Sequence, residues 1–599
     1  MSKDKARTDK KLILRGLLFS IFFSLPSIID YFISNGWSHF VFADWDEPFY
    51  LLHHLLIGRA SLADLTDTSG LRDLPPALKP MLTLSPHVAV DIIFGRIHNF
   101  LGLKTTTITV YLDLITVWAS YVLFTWALRQ ICKKRIVAET ASIALLTLPS
   151  LSGVDSLIQI SWPSSSHFIS TPFIDYVCPP VIRAVYTQLS YPLFALALFF
   201  LFRGLSQSPW DTKDARRAGI VTGSTIYIYF FAWGSLAPML ILTAFFLYLW
   251  ERFATHEKPV ASFRPWISAF LLPFSLISLP GILVFALNPA RNELVLPESL
   301  TGYWNLQLGV VLTSVAIAIY LGKFVRTKHT ALLCAWGLAC YFSEIPLTNL
   351  QPLLGKLLTP YHFVSFYLRP AATAFLVILI LDRSFHKYLL WLAAVIIGFK
   401  GISRYYWPLF EPTPKSEEII ELSKFLSTTK EDSVVWIYPF LGCPNEAHDK
   451  DLQWRILPYW VGSISQRQIA ELSQLSSDSE EYVQREFLYG WIYNGIPQLT
   501  GYCPKSLPDV PQDLFTGIHS FQLAKRKSLC EQEQDHISRF DLCKSLKSNK
   551  VDIVVWETQC GPAEPGPIFR QVWASKEREF LAFSVDQEAL LRTACGEVD

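Results

Sequence analysis

The stretch from residue 42 to residue 58, FADWDEPFYLLHHLLIG, carries the residue types best suited to chemistry. Asp44, Asp46 and Glu47 lie about ten residues beyond the first long apolar run, and His54 follows within an apolar sequence. Charged carboxylates are costly inside hydrocarbon, so we expect a loop at a membrane surface. A carboxylate held there could take a proton from an attacking hydroxyl group, as a general base does in a transfer reaction.

Pro48 suits the first turn of a helix, which would place Asp46 and Glu47 at its positive end. Three crowded acids also make a raised pKa on one of them plausible, because like charges disfavour ionisation. The alternative is a solvated acidic turn that only begins an interfacial helix. The segment therefore predicts either an acidic site or a structural turn at the bilayer surface.

The composition indicates a polytopic membrane protein. Of 599 residues, 51% are hydrophobic and only 17% are charged, whereas ordinary soluble proteins carry about 25% charged residues. Many apolar runs are long enough to cross a bilayer. The net charge of +1 hides basic residues that gather in short loops, and the absence of a basic stripe argues against nucleic-acid binding.

We predict eleven membrane spans and an external C-terminus. Gly234 and Pro238 are expected to divide residues 218–251 into a close pair of helices. The predicted cytoplasmic segments, with the span ends that border them, contain 22 Lys and Arg residues, and the three short external loops contain 4, which places the N-terminus inside. The predicted spans are 12–34, 105–128, 136–153, 185–202, the pair within 218–251, 266–287, 306–322, 330–347, 370–382 and 386–402.

Two domains follow from this layout. Residues 1–402 form a transmembrane domain with a large first external loop, 35–104, and residues 403–599 form a soluble extracytoplasmic α/β domain. Within the soluble domain, periodicity and β-branched content predict helices at 417–426 and 480–493 and buried strands at 433–440 and 551–556.

The ten cysteines are unevenly placed, and six of them fall in the last third of the chain. No pair of cysteines has the spacing of a zinc site. An even number in a non-membrane region fits disulfides, provided that this region lies outside the cytosol.

Basic side chains provide candidate ligands for a lipid phosphate. Arg369 is predicted at the external end of the span 370–382, where a planar guanidinium can bind phosphate bidentately. Arg404 and His54 are weaker candidates for the same phosphate. The alternative for Arg369 is ordinary snorkelling of a long side chain to the interface.

Other ionisable residues are candidates for a second wall of the site. Asp91 lies in an amphipathic stretch of the first loop, and Asp175 and Arg183 lie in the second external loop. A salt bridge to Arg96 or a bond to His87 would explain Asp91 without any function. Asp113 and Glu344 lie within predicted spans, where acids are functional candidates by default, although a polar contact between helices is the alternative.

The sequence DWDEPFY at residues 44–50, its place after the first span and the overall layout resemble the GT-C superfamily of integral membrane glycosyltransferases. Members of the aminoarabinose and protein O-mannosyl transferase type carry an Asp-x-Asp or Asp-Glu motif in this loop and use a polyprenyl-phosphate sugar. The resemblance covers residues 1–400 by layout and about ten residues by motif. It implies transfer of a sugar to a lipid, glycan or protein acceptor on the external face.

In that reading, Asp46 is the general base of an inverting displacement, with Asp44 and Glu47 as alternatives. No cofactor is certain, and a divalent metal such as Mg²⁺ or Mn²⁺ stays open. We expect a multi-pass protein of the bacterial inner membrane, with the endoplasmic reticulum membrane as the alternative. A lipid-linked polysaccharide polymerase or ligase, a transporter or flippase, and a non-catalytic assembly subunit are the competing functions.

Overall fold

The computed structural model describes most of the helical part and much of the C-terminal part of the chain. The chain divides into two compact units, and each is described by itself. The described residues are 3–33, 35, 37, 55, 88–147, 159–162, 185–253, 263–287, 304–349, 360–382, 416–438, 461–462, 465–469, 487–488, 527–528, 530–548, 551–558, 568–577 and 580–595.

Helices dominate these residues. They are α1 (Lys3–Phe23), α2 (Leu25–Ile33), α3 (Val88–Leu101), α4 (Thr105–Leu128), α5 (Arg135–Thr147), α6 (Val185–Ser206), α7 (Thr212–Ser224), α8 (Phe230–Phe253), α9 (Phe263–Leu287), α10 (Leu308–Lys323), α11 (Lys328–Thr348), α12 (Pro360–Phe363), α13 (Arg369–Leu381), α14 (Ser416–Ser427), α15 (Glu533–Ser538), α16 (Leu542–Ser548) and α17 (Gln587–Cys595).

The strands are short. They are β1 (Gln159–Trp162), β2 (Trp304–Gln307), β3 (Val434–Tyr438), β4 (Gln468–Ile469), β5 (Ile553–Glu557), β6 (Phe569–Ala574) and β7 (Phe580–Val585). The strands β1 and β2 pair antiparallel within the first unit, and the other five form one sheet in the second unit.

Six described helical segments are long and apolar enough to cross a membrane, and α1 with α2 would add a seventh as one broken span. A mostly helical chain with several candidate membrane-spanning helices is thereby confirmed, while the count of eleven spans stays a prediction. The predicted span 386–402 lies outside the described residues. The six segments are Thr105–Leu128, Tyr186–Ser206, Phe230–Phe253, Phe263–Leu283, Lys328–Thr348 and Val364–Leu381.

The predicted division of residues 218–251 at Gly234 and Pro238 is wrong. The break lies at the 3₁₀ turn Thr225–Tyr227, between α7 and α8. Pro238 lies inside α8, and neighbouring helices can accommodate a proline in a membrane helix. Gly234 permits close packing instead, because a Cβ atom there would lie 2.4 Å from Cε1 of Phe363.

One end of the first unit is rich in ion pairs. Arg15 of α1 and Arg135 of α5 both bind the Glu139 carboxylate, at 2.9 and 2.6 Å, and Lys328 binds Glu251 at 3.2 Å. We call this the basic end. Its basic residues lie in or beside segments that the sequence predicts to be cytoplasmic. The residues that define it are Arg15, Arg135, Arg203, Arg217 and Lys328.

The second unit is built on a five-stranded sheet in the order β4–β3–β5–β7–β6. The strands β4, β3 and β5 are parallel, with Val435 opposite Ile553, whereas β7 and β6 run antiparallel to their neighbours. The predicted helix at 417–426 and the strands at 433–440 and 551–556 are present as α14, β3 and β5. Most of the predicted helix 480–493 lies outside the described residues.

The core on one face of this sheet includes residues of the first loop. Leu55 is 2% exposed and belongs to a buried cluster with Leu422 of α14 and Val435 of β3. Ile92 of α3 packs against the same cluster. Leu55, eight residues after Glu47, therefore belongs to the core of the C-terminal α/β unit.

A disulfide closes the second unit near its end. Cys543 of α16 is bonded to Cys595 of α17, and Cys530 is disulfide-bonded as well. The prediction that some cysteines of the last third are paired is confirmed. The described free cysteines, Cys132, Cys334 and Cys340, are buried in the first unit.

Candidate functional site

The acidic motif itself lies outside the described residues, so its predicted role stays a prediction. Asp91 lies on α3, but its side chain is likewise outside them. The described residue that follows the motif is Leu55, whose packing is given above. The other predicted site residues outside the described part of the chain are Asp44, Asp46, Glu47, His54, Asp175, Arg183 and Arg404.

Arg369 and Glu344 form a buried ion pair in the first unit. The guanidinium Nε and Nη2 atoms of Arg369 donate to Oε1 of Glu344 at 3.2 and 2.8 Å. Each side chain is only 4% exposed. Two charges taken out of water are tolerated only when they are paired and hydrogen-bonded, so each residue of this pair depends on the other.

The position of Arg369 differs from the predicted one at the external end of a span. The segment from Pro360 to Leu381 is helical throughout, and Arg369 lies about 13 Å along it, at 1.5 Å per residue. Residues 360–369 are therefore helical, and the candidate membrane span Val364–Leu381 includes Arg369. Because the side chain is buried against Glu344, simple snorkelling to the surface does not describe it.

A π-helical turn, Val364–Leu368, lies immediately before Arg369. Such turns are rare and are frequent at functional sites. Two side chains of α6 contact it: Tyr191 donates its hydroxyl to the carbonyl of Phe366, and Ser190 shares a hydrogen bond with the Tyr367 hydroxyl. These bonds fix the turn, and hence the start of α13, against α6.

His362 lies two turns before Arg369 on the same helical segment. Its Nδ1 atom lies 3.4 Å from the Tyr229 hydroxyl, and its ring is stacked on Phe366 with centroids 4.9 Å apart. The Tyr229 ring in turn stacks on Tyr186 at the start of α6. This aromatic cluster surrounds the imidazole with apolar ring faces.

Asp113 of α4 provides a second buried carboxylate. Gln188 of α6 donates its Nε2 hydrogen to Asp113 Oδ1 at 2.6 Å, and both residues are 0% exposed. The partner of Asp113 is therefore neutral, unlike the partner of Glu344. Both predicted intramembrane acids are thus engaged in contacts between helices.

These polar groups share one region of the first unit. Each lies closer to the helix end opposite the basic end: Asp113 near the start of α4, Gln188 near the start of α6 and Glu344 near the end of α11. Arg369 lies in the first turn of α13. The other end of α13 lies toward the basic end, where the backbone N–H of Lys133 donates to the Asp382 carboxylate. The sequence predicts the opposite end to be external.

The chemistry available here is that of fixed charges and hydrogen bonds. A paired guanidinium can orient an anion, and a buried carboxylate can hold or release a proton. In the part of the chain that the structure describes, no three His, Cys, Asp or Glu residues lie together in a way that could hold a metal. A metal site remains a proposal that depends on the acids at 44–47.

Two features of this region were not anticipated from the sequence. The sequence predicts Arg369 as a phosphate ligand or a snorkelling side chain, and Glu344 as a functional acid or a polar contact between helices. It does not pair the two residues with each other, as the structure does. Gln188 was not singled out at all. A charge inside an apolar run needs a partner, and the apolar runs of this sequence contain few charged residues. That rule could have suggested a pair of Arg369 and Glu344.

No known family model and no curated protein sequence matches this chain significantly.

Proposed function

We propose that this protein is an integral membrane glycosyltransferase that takes a sugar from a polyprenyl-phosphate donor. The acceptor is a lipid, a glycan or a protein on the external face, and a lipid-linked polysaccharide polymerase or ligase is the variant of this reaction with a glycan acceptor. Asp46 acts as the general base, and Asp44 and Glu47 are the neighbouring acids. Arg369, Arg404 and His54 serve the donor phosphate, and Asp91, Asp175 and Arg183 form a second wall.

The observation that carries the proposal is the position of Leu55. It follows the acidic motif by eight residues and is buried in the core of the C-terminal α/β unit. A residue close to the motif in sequence is therefore fixed in a folded unit, which supports a site over a solvated turn. The burial of Leu55 among C-terminal residues supports the proposal that the first loop and the C-terminal unit share one side of the membrane. The disulfide Cys543–Cys595 favours an oxidising compartment there.

Helix α3 supports access from the lipid phase. Ile93, Ile97 and Phe100 are 61%, 50% and 89% exposed on one face, while Ile92 packs into the core of its unit. An apolar face next to a spanning helix fits the bilayer interface.

Lys104 lies immediately before α4, with its amino group 4.2 Å above the Trp37 ring. Burial, with a smaller contribution from Lys424, lowers the pKa of this amino group.

Arg369 fits a role in donor binding through its fixed orientation. The Glu344 carboxylate and the π turn hold the guanidinium in place. A pre-oriented guanidinium favours bidentate recognition of phosphate. This part of the proposal is independent of which acid at 44–47 is the base.

The test is sugar transfer by purified Asp46→Asn in lipid. Removal of a general base should lower the rate by about 10²–10⁴ at unchanged fold. Asp44→Asn is compared with it, and should lower the rate less if the motif acts as Asp-Glu and as much if it acts as Asp-x-Asp. Transfer by Asp46→Asn at the wild-type rate would exclude Asp46 as the base and pass that role to Asp44 or Glu47.

Transport is the second candidate, favoured by one observation. Asp113, Glu344 and Arg369 are buried within helices, as the ionisable groups of ion pathways are. Proteoliposomes distinguish the two functions: a transporter moves solute without an acceptor, whereas the proposed enzyme consumes donor only with one. Donor-independent flux that is lost in Glu344→Gln would replace the first proposal by the second.

A further inference from the structure

The pair Asp113–Gln188 contains two polar atoms with no use in the proposed reaction. While Gln188 Nε2 donates to Asp113 Oδ1, both Asp113 Oδ2 and Gln188 Oε1 are without a hydrogen-bond partner among the described residues. Both atoms are buried, and a buried polar atom without a hydrogen bond destabilises the fold. Each is an acceptor, so the two cannot satisfy each other without an added hydrogen.

We propose that this pair is a proton-binding site in which Asp113 is a neutral carboxylic acid. The proton on Oδ2 is donated to Oε1 of Gln188, while Nε2 of Gln188 donates to Oδ1. The acid and the amide then form a closed ring of two hydrogen bonds, and one proton satisfies both orphaned oxygens.

Asp113 needs a proton whichever way the oxygen and nitrogen of the Gln188 amide are placed. Rotating the Gln188 amide by half a turn would bring its oxygen against Asp113 Oδ1, and a proton would again be needed between two acceptors. An ionised Asp113 would be a buried charge, and no described ion pair brings a cation to it. Such a charge is far more costly than a hydrogen-bonded neutral acid.

The bound proton has a structural consequence. It makes the contact between α4 and α6 a neutral, two-bond contact, and side-chain hydrogen bonds of this kind hold helices together in lipid. Loss of the proton would leave an unpaired charge between the same helices. Helix packing in this region therefore depends on a proton that the glycosyl transfer does not consume.

Infrared difference spectroscopy of the full-length protein in lipid tests this site. At neutral pH, the wild-type spectrum minus that of Asp113→Asn should contain the carbonyl band of a protonated carboxylic acid, with a shift in D₂O. Glu344→Gln is the matched control, since it removes an acid that Arg369 keeps ionised. That variant should remove a carboxylate band and leave the acid band in place.

A second variant keeps the test decisive if Asp113→Asn does not fold. In Gln188→Leu the acid loses its acceptor, so its carbonyl band should move to the position of a free acid. An acid region that is unchanged between the wild type and Gln188→Leu would overturn the proposal. A carboxylate band in place of the acid band for Asp113 would do the same.

Discussion

Two buried carboxylates of the helical unit are held in different ways. Glu344 accepts two hydrogen bonds from the guanidinium of Arg369, whereas Asp113 accepts one from the neutral amide of Gln188. Each lies closer to the helix end opposite the basic end, and both are at most 4% exposed. Burial alone therefore does not set the protonation state of a carboxyl group. A cationic partner balances the charge of Glu344, whereas beside a neutral partner Asp113 binds a proton.

Glu344→Gln should have the largest effect on this comparison. It leaves the Arg369 charge buried without its counter-charge, and breaking a buried pair costs about 3–5 kcal/mol. Denaturant unfolding in lipid–detergent micelles measures the change. The double variant Glu344→Leu with Arg369→Leu is the control and should recover much of the loss. A Glu344→Gln protein as stable as the wild type would mean that the pair is not isolated from water.

Arg369→Lys should have the next largest effect. The charge remains, but an ammonium cannot reproduce the planar fork that contacts Glu344 and, as we propose, the donor phosphate. We expect the loss of a charged hydrogen bond, worth about 1.5–3 kcal/mol, and a weaker apparent affinity for the lipid donor. Donor titrations of the folded variant check this. Unchanged donor affinity would leave Arg369 a purely structural residue.

Gln188→Leu should have a smaller effect on stability. It removes both hydrogen bonds of the proposed acid–amide ring and leaves a buried carboxyl group unsatisfied, at a cost of about 1–3 kcal/mol. The same unfolding measurement applies. Gln188→Glu serves as the control, since two protonated carboxylic acids can form the same closed ring of two hydrogen bonds. A leucine variant of wild-type stability would show that Asp113 finds another partner.

Asp113→Asn should have the smallest effect. Asparagine has the size of a neutral aspartic acid and can form the same ring with Gln188, so the change should stay below about 1 kcal/mol, the net worth of one hydrogen bond. Glu344→Gln also replaces a carboxyl group by an amide, so the difference in lost stability between the two variants reports the difference in charge between the two acids. Equal losses in the two variants would mean that Asp113 and Glu344 carry the same charge.

Local elements were predictable where a pattern in the sequence is itself local. The apolar run at 105–128 matches α4, and the alternation of charged and apolar residues at 417–426 matches α14 to within one residue at each end. The β-branched runs around Val435 and Val554 similarly gave β3 and β5. Helical and strand periodicity carry this information without any knowledge of the partner element.

Contacts between distant residues were not predictable in the same way. The ion pair of Glu344 and Arg369 depends on how α11 packs against α13, and no spacing in the sequence encodes that packing. The helix break was predicted at Gly234 and Pro238 but lies at Thr225–Tyr227. Glycine and proline signal a helix break strongly in water, but neighbouring helices accommodate them in lipid. The burial of Leu55 in the core of the C-terminal unit was not predictable either. A single leucine among many apolar residues does not indicate which core it joins.

The burial of Leu55 among residues of α14 and β3 has a consequence for biosynthesis. Chains emerge from the ribosome N-terminus first, so Leu55 is made long before Leu422 and Val435, its neighbours in the core. The first loop must wait, without its hydrophobic partners, while the intervening helices enter the membrane. A chain that stops at residue 402 would never supply those partners, and its first loop would depend on chaperones to escape aggregation.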